Sequence, residues 1–168
     1  MKKSIAALFF SLSLTLGMGS ALAEYTPEQM KSHQHEGGEA VGSMPADVKM
    51  HQSCPHCGMD RNKFAHSRIL VTYSDGTSAG MCSIHCAVTE LKTSKGKPAK
   101  TVEVADLNSK KLVDAEKAIW VIGGSRKGVM TRTPKWAFAK KEDAAAFIKK
   151  EGGKMATYKE SLAMAEKD

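Results

Sequence analysis

The chain has 168 residues, a formal charge of +7 at neutral pH and an aromatic fraction of 6%. So few aromatic residues argue against a large aromatic-lined ligand pocket. The lysines are scattered, which fits a solvated cationic surface better than a nucleic-acid face.

Taken from its start, the sequence first reads as an export signal. Lys2 and Lys3 precede an apolar run from Ile5 to Met18, and small residues follow, ending in Ala21-Leu22-Ala23. This is the pattern of a secretory signal peptide over residues 1–23, with cleavage after Ala23 and Glu24 opening the mature chain. The apolar run is shorter than the roughly 20 residues a membrane span needs, and no later stretch approaches that length. The expectation is a periplasmic protein with no stable membrane insertion after cleavage, and no nucleic-acid partner in that compartment. Losing Lys2 and Lys3 lowers the formal charge from +7 to +5, since no acid leaves with them. The remainder is long enough for one domain or for two small halves sharing a core.

Residues 24–50 carry Pro27, Gly37, Gly38, Gly42 and Pro45 with almost no apolar periodicity, and read as a flexible tether. His33 and His35 lie inside it. They could scavenge metal, although solvated polar residues are the commoner occupants of such a segment.

The folded part is placed at 51–168. Arg68-Ile-Leu-Val-Thr-Tyr73 is rich in β-formers, Ser74-Asp75-Gly76 signals a hairpin turn, and Thr77–Met81 returns. A helix is expected from Ser83 to Leu91, then a loop over Thr93–Pro98. Strands follow at Thr101–Val104, Ala118–Ile122 and Lys135–Ala139, with a turn at Gly123-Gly124-Ser125. Lys141–Lys150 has a helical apolar face made by Ala144, Ala145, Phe147 and Ile148, and Gly152-Gly153 ends it. Tyr158–Ala165 is a last short amphipathic helix. This order predicts an α+β fold of two small similar units, each a β-hairpin or strands packed with a helix.

All the cysteines fall in one stretch: Cys54, Cys57, Cys82 and Cys86. In Cys54-Pro55-His56-Cys57 a tight turn brings two sulfurs together. Gly58 permits a sharp bend, and Met59 sets a thioether beside them. In Cys82-Ser83-Ile84-His85-Cys86 the i,i+4 spacing puts both sulfurs on one face of a helical turn, with His85 close to that face and Met81 just before it. Two local disulfides are one reading for an exported chain, but such bridges close tiny loops and contribute little unfolded-state entropy. Metal binding is the other. Four thiolates alone favour zinc or an iron–sulfur cluster, whereas a thioether such as Met59 added to thiolates favours Cu(I). Covalent haem is excluded, because Gly58 and Ala87, not histidine, follow the pairs.

Cys-Pro-His-Cys also occurs as the active-site tetrapeptide of oxidising thioredoxin-like proteins. The segment Met44–Ser53 upstream does not read as the core strand such a site requires, and no β-α-β pattern follows. No acid/base pair or activated nucleophile is evident outside the cysteines, so the sequence points to binding rather than catalysis.

With these motifs in order, the chain resembles the NosL family of exported copper-binding accessory proteins linked to nitrous oxide reductase. The resemblance runs from about His51 to Glu160. It rests first on Cys54, Cys57, Gly58 and Met59, then on Met81-Cys82-Ser83 after the hairpin. The strand Ala118–Ile122, the stretch Lys127-Gly128-Val129-Met130, Ala137-Phe138-Ala139, the Ala144–Phe147 helix and Gly152-Gly153 complete it. The resemblance implies a Cu(I)-binding metallochaperone that delivers copper to an exported cuproenzyme or copper-transfer protein. It also implies ligands at Cys54, Cys57, Met59, Cys82 and Met130. Cys86 is additional to the family pattern, and makes the stretch similar to TRASH- or YHS-like modules that pair Cys-Gly-Met with a later Cys-Ser-x-x-Cys. Many family members are lipoproteins, whereas no cysteine stands at this cleavage site.

Overall fold

The structure, a computed structural model, describes residues 44–94 and 96–168. The signal-peptide reading of 1–23, and His33 and His35, lie outside the described residues.

The described chain opens with a short helix, α1 (Ala46–Met50), in which Asp47 and Val48 are buried. The end of the segment expected to be a tether therefore belongs to the folded body, and the body begins near Pro45 rather than His51. The hairpin β1 (Ile69–Tyr73) and β2 (Ser78–Met81) follows as expected. The Asp75 carboxylate closes its turn, accepting from the Thr77 backbone at 2.9 Å and the Thr77 hydroxyl at 2.6 Å. Helix α2 (Ile84–Thr93) starts directly after β2. Two strands come next: β3 (Ala99–Ala105) and the three-residue β4 (Leu112–Asp114). The second half contains β5 (Ile119–Ile122), β6 (Lys135–Phe138), α3 (Lys141–Glu151), β7 (Lys154–Ala156) and α4 (Tyr158–Ala165).

The strands make two antiparallel sheets, a four-stranded one in the order β2-β1-β3-β4 and a three-stranded one in the order β6-β5-β7. With helices packed on both, this is the α+β fold expected. Each half contains antiparallel strands and a helix that follows them closely. Helix α4 leaves the second sheet and packs against α2, so the halves share a core.

Strand alternation explains how one short strand serves two cores. Trp120 on β5 faces the larger core with Ile69, Val71, Met81 and the buried cysteines. Its neighbour Val121 faces the smaller core, with Trp136, Phe138 and Ala144. The Trp120 indole N–H donates to the Ala115 carbonyl at 2.8 Å, satisfying a group that would be costly to bury alone.

Besides α1, two strands were not anticipated, β4 and β7. Each is three residues long at a sheet edge, too short to show an alternation. Strand β7 lies close to β5 because Gly153 has φ +96°, and a Cβ there would sit 2.9 Å from the Ile122 carbonyl oxygen. The expected terminator thus also carries the chain into a third strand.

Candidate metal centre

The first cysteine pair is held by a loop that hydrogen-bonds to itself. Ser53 and Asp60 form a bridge across its base, the Cys54 N–H donates to the Met59 carbonyl at 2.9 Å, and the Gly58 N–H donates back to Cys54 at 2.8 Å. Gly58 has φ +74°, the left-handed conformation that lets the chain turn there. The second pair is placed by regular structure. Cys82 follows the last residue of β2, Ser83 is the N-cap of α2, and Cys86 lies in that helix's first turn.

What joins the two pairs is Arg61, fully buried just after the loop. Its guanidinium donates to the Met81 carbonyl (3.2 Å), the Asp47 carbonyl (2.8 Å), the His51 carbonyl (2.7 Å), the Ile69 carbonyl (3.3 Å) and the Asp47 carboxylate (2.8 Å). One side chain therefore fixes α1, the segment leading into the cysteine loop, and the residue before Cys82. Gly80 makes room for it, since a Cβ there would lie 2.5 Å from the Arg61 Cζ. Arg68 shares the same aspartate, at 2.8 and 3.1 Å. Burial alone would raise the Asp47 carboxyl pKa, but the hydrogen bonds and charges of Arg68 and Arg61 hold it below its ordinary value. Two buried cations on one anion leave a positive excess beside the thiols. Burial works against the Arg61 charge, while Asp47 and Cys54 favour it.

The result is convergence. The four Sγ atoms all lie within 4.8 Å of one another. Cys57 and Cys82 are 3.4 Å apart, Cys57 and Cys86 3.7 Å, and Cys82 and Cys86 3.8 Å. A metal–sulfur bond of 2.3 Å in a tetrahedron sets sulfurs about 3.8 Å apart, so little rearrangement is needed to hold an ion. All four are free thiols, with Cys57 half-buried and the others buried. Hydrogen bonding from Cys86 leads, ahead of the opposing effect of burial, in lowering the Cys82 thiol to about 5. Burial pushes Cys57 up to about 11, and the hydrogen bond to Cys82, followed by burial, pushes Cys86 far up. Cys82 stands at the amino end of α2, where the helix dipole favours a thiolate.

Met59 is half-buried and packs against the core that contains Cys54, Cys82 and Cys86. Met130 lies in the loop between β5 and β6, 41% exposed with φ +52°. Its neighbours Val129 and Thr131 line a cavity together with Ser83 and Ile84, which places this loop beside the start of α2. Sequence reasoning missed Arg61, Arg68 and Asp47. A buried arginine between two cysteine pairs has no local signature, and Asp47 stood in the presumed tether.

The family model for NosL matches residues 45–163. The chain belongs to the NosL family. The match begins at Pro45, so α1 and its Asp47 fall inside the NosL region, as do all four cysteines, Met59 and Met130. Among solved structures, the chain is similar to the copper chaperone NosL from Shewanella denitrificans. The identity is 26% and the TM-score 0.51, over 64% of this chain and 87% of that one. No curated protein matches.

Proposed function

We propose that this NosL-family protein is a periplasmic metallochaperone that carries Cu(I) on its sulfur cluster. It passes the ion to an exported cuproenzyme or copper-transfer protein, nitrous oxide reductase being the client the family reading names. The observation that carries this is the meeting of four thiols from two sequence motifs within 4.8 Å. The similarity to a solved copper chaperone supports it. The role is binding, not catalysis. Two or three sulfurs hold the ion, Cys54 and Cys57 as thiolates with Met59 or Met130 as thioether, while Cys82 and Cys86 complete the cluster around it. Soft sulfur ligands select Cu(I), and a low coordination number leaves room for an acceptor's ligand to attack before the first ligands leave. Residues 1–23 act as the export signal.

Zinc is the second reading, because sulfur separations near a tetrahedral edge also suit a four-thiolate zinc site. Reduced protein, offered equal Cu(I) and zinc without oxygen and then analysed for metal, separates the two. Stoichiometric copper, lost in the Cys54→Ser/Cys57→Ser double variant, is expected. Retained zinc, with a fold that melts on chelation, would make the site structural. Met130→Leu is expected to weaken Cu(I) binding with thermal unfolding of the metal-free protein nearly unchanged, and equal affinity would remove Met130 from the site.

A further inference from the structure

The cluster is enclosed on all but one side. Cys54 and Cys86 are 2% exposed and Cys82 is 0%, whereas Cys57 is only half-buried. An incoming ligand therefore meets the site at Cys57. The residue before it, His56, turns its Nε2 to the Glu90 carboxylate at 2.7 Å. Glu90 lies one turn beyond Cys86 on α2, and its other oxygen accepts from the Tyr73 hydroxyl. A carboxylate only accepts, so the contact requires a proton on His56 Nε2, and both carboxylate oxygens are engaged. Tyr73 is 3% exposed on β1. A continuous chain of contacts thus runs from the sheet, through α2, to the outer edge of the cysteine loop. Its partners are 34 and 17 residues apart in sequence.

Resting on the cargo reading of the cluster, we propose that Glu90 is a positioning residue. It latches the His56–Cys57 edge of the loop over the sulfurs, and metal enters and leaves past Cys57 when that contact opens. The rest of the loop has its own ties, from the Cys54 N–H to Met59 and from the Gly58 N–H to Cys54. Those ties keep Cys54 in place while His56 lets go. A latch closed over both the empty and the loaded site slows entry and exit alike. It sets the exchange rate and not the affinity.

The test uses Glu90→Ala, His56→Ala and the two together. In reduced, metal-free protein, iodoacetamide alkylation of Cys57, located by peptide mass spectrometry, is expected to accelerate about three- to tenfold in either variant. Cys54, Cys82 and Cys86 stay protected, which shows that the fold is intact. The double variant goes no faster than the singles, because each removes the same contact. Glu90→Gln, which can accept from Tyr73 and donate to the other His56 tautomer, restores a rate near that of the parent. Cu(I) exchange with a competing chelator speeds up in both directions with the Kd little changed. A residue that only supports the fold would instead lower the unfolding temperature and weaken the Kd. Unchanged Cys57 alkylation in both single variants overturns the latch, whatever the site carries. Faster alkylation in a protein that takes up no Cu(I) removes the cargo reading and leaves the latch standing.

Discussion

Both sheets of this protein pack apolar cores, but the one that carries the cysteines adds a buried arginine–aspartate network. Around the smaller core, Val121, Trp136, Phe138 and Ala144 pack with Ile119, Phe147 and Ile148, and aromatic rings 5.4 and 5.6 Å apart fill the space between β6 and α3. Around the cysteine cluster, an apolar core of Ile69, Val71, Met81, Val104 and Trp120 is joined by a buried polar network: Asp47, Arg61 and Arg68 tie a helix, a loop and a strand end together through side-chain to backbone hydrogen bonds. Apolar packing tolerates small shifts. A sulfur cluster requires its two motifs at fixed separation, and directional hydrogen bonds to backbone carbonyls supply that.

Breaking each region in turn should expose the contrast. Arg61→Met leaves the Asp47 carboxylate short of a partner and several buried carbonyls unsatisfied. The expected loss is about 3–5 kcal/mol in urea unfolding, accompanied by weakened metal uptake. Phe138→Ala opens the smaller core and should cost a similar amount, about 3–5 kcal/mol, while metal uptake by the folded fraction stays at the parent level. If Arg61→Met lost only stability, or Phe138→Ala also lost metal, the division of labour between the regions would be wrong.

Acid probes the polar region more gently. The Asp47 carboxyl is held below its ordinary value, so its contribution is complete above the unfolded-state pKa of about 3.9 and fades as pH falls through the lower folded value. Asp168, bonded to the Lys135 ammonium and the Thr131 hydroxyl, behaves the same way in the other region, again against the opposing effect of burial. Stability should therefore fall below about pH 4, and Asp47→Asn should lower the plateau at neutral pH while flattening that fall. A profile in Asp47→Asn that runs parallel to the parent's would show that the aspartate carries no such linkage.

The same contrast explains what could be read from the sequence. The regular elements of both regions were largely legible: the hairpin of the four-stranded sheet, and β5, β6 and α3 around the smaller core, announce themselves by alternation, turn glycines and a helical face. The cysteines were legible as a pattern, through their spacing and Met59. Their meeting at one point was not, because it depends on Arg61 reaching Met81 across 20 residues and on Gly80 leaving space. Helix α1 was hidden by its five-residue length next to a proline- and glycine-bearing stretch. Nothing local pairs His56 with Glu90.

The smallest expected effect lies at the junction of the two regions. Helix α4 begins with a capping box, in which the Thr157 side chain accepts from the Glu160 N–H while the Glu160 carboxylate accepts from the Thr157 N–H at 2.7 Å. The helix carries Tyr158, whose ring stacks on Trp120 at 5.8 Å, and it packs against α2, which bears Cys86. Thr157→Ala removes a cap contributing about 1 kcal/mol and should lower the unfolding midpoint accordingly. Because α2 is anchored at its other end by β2 and Arg61, Cys57 alkylation and Cu(I) exchange should stay at parent rates. A change in either would mean that the shared core transmits strain from α4 to the sulfurs.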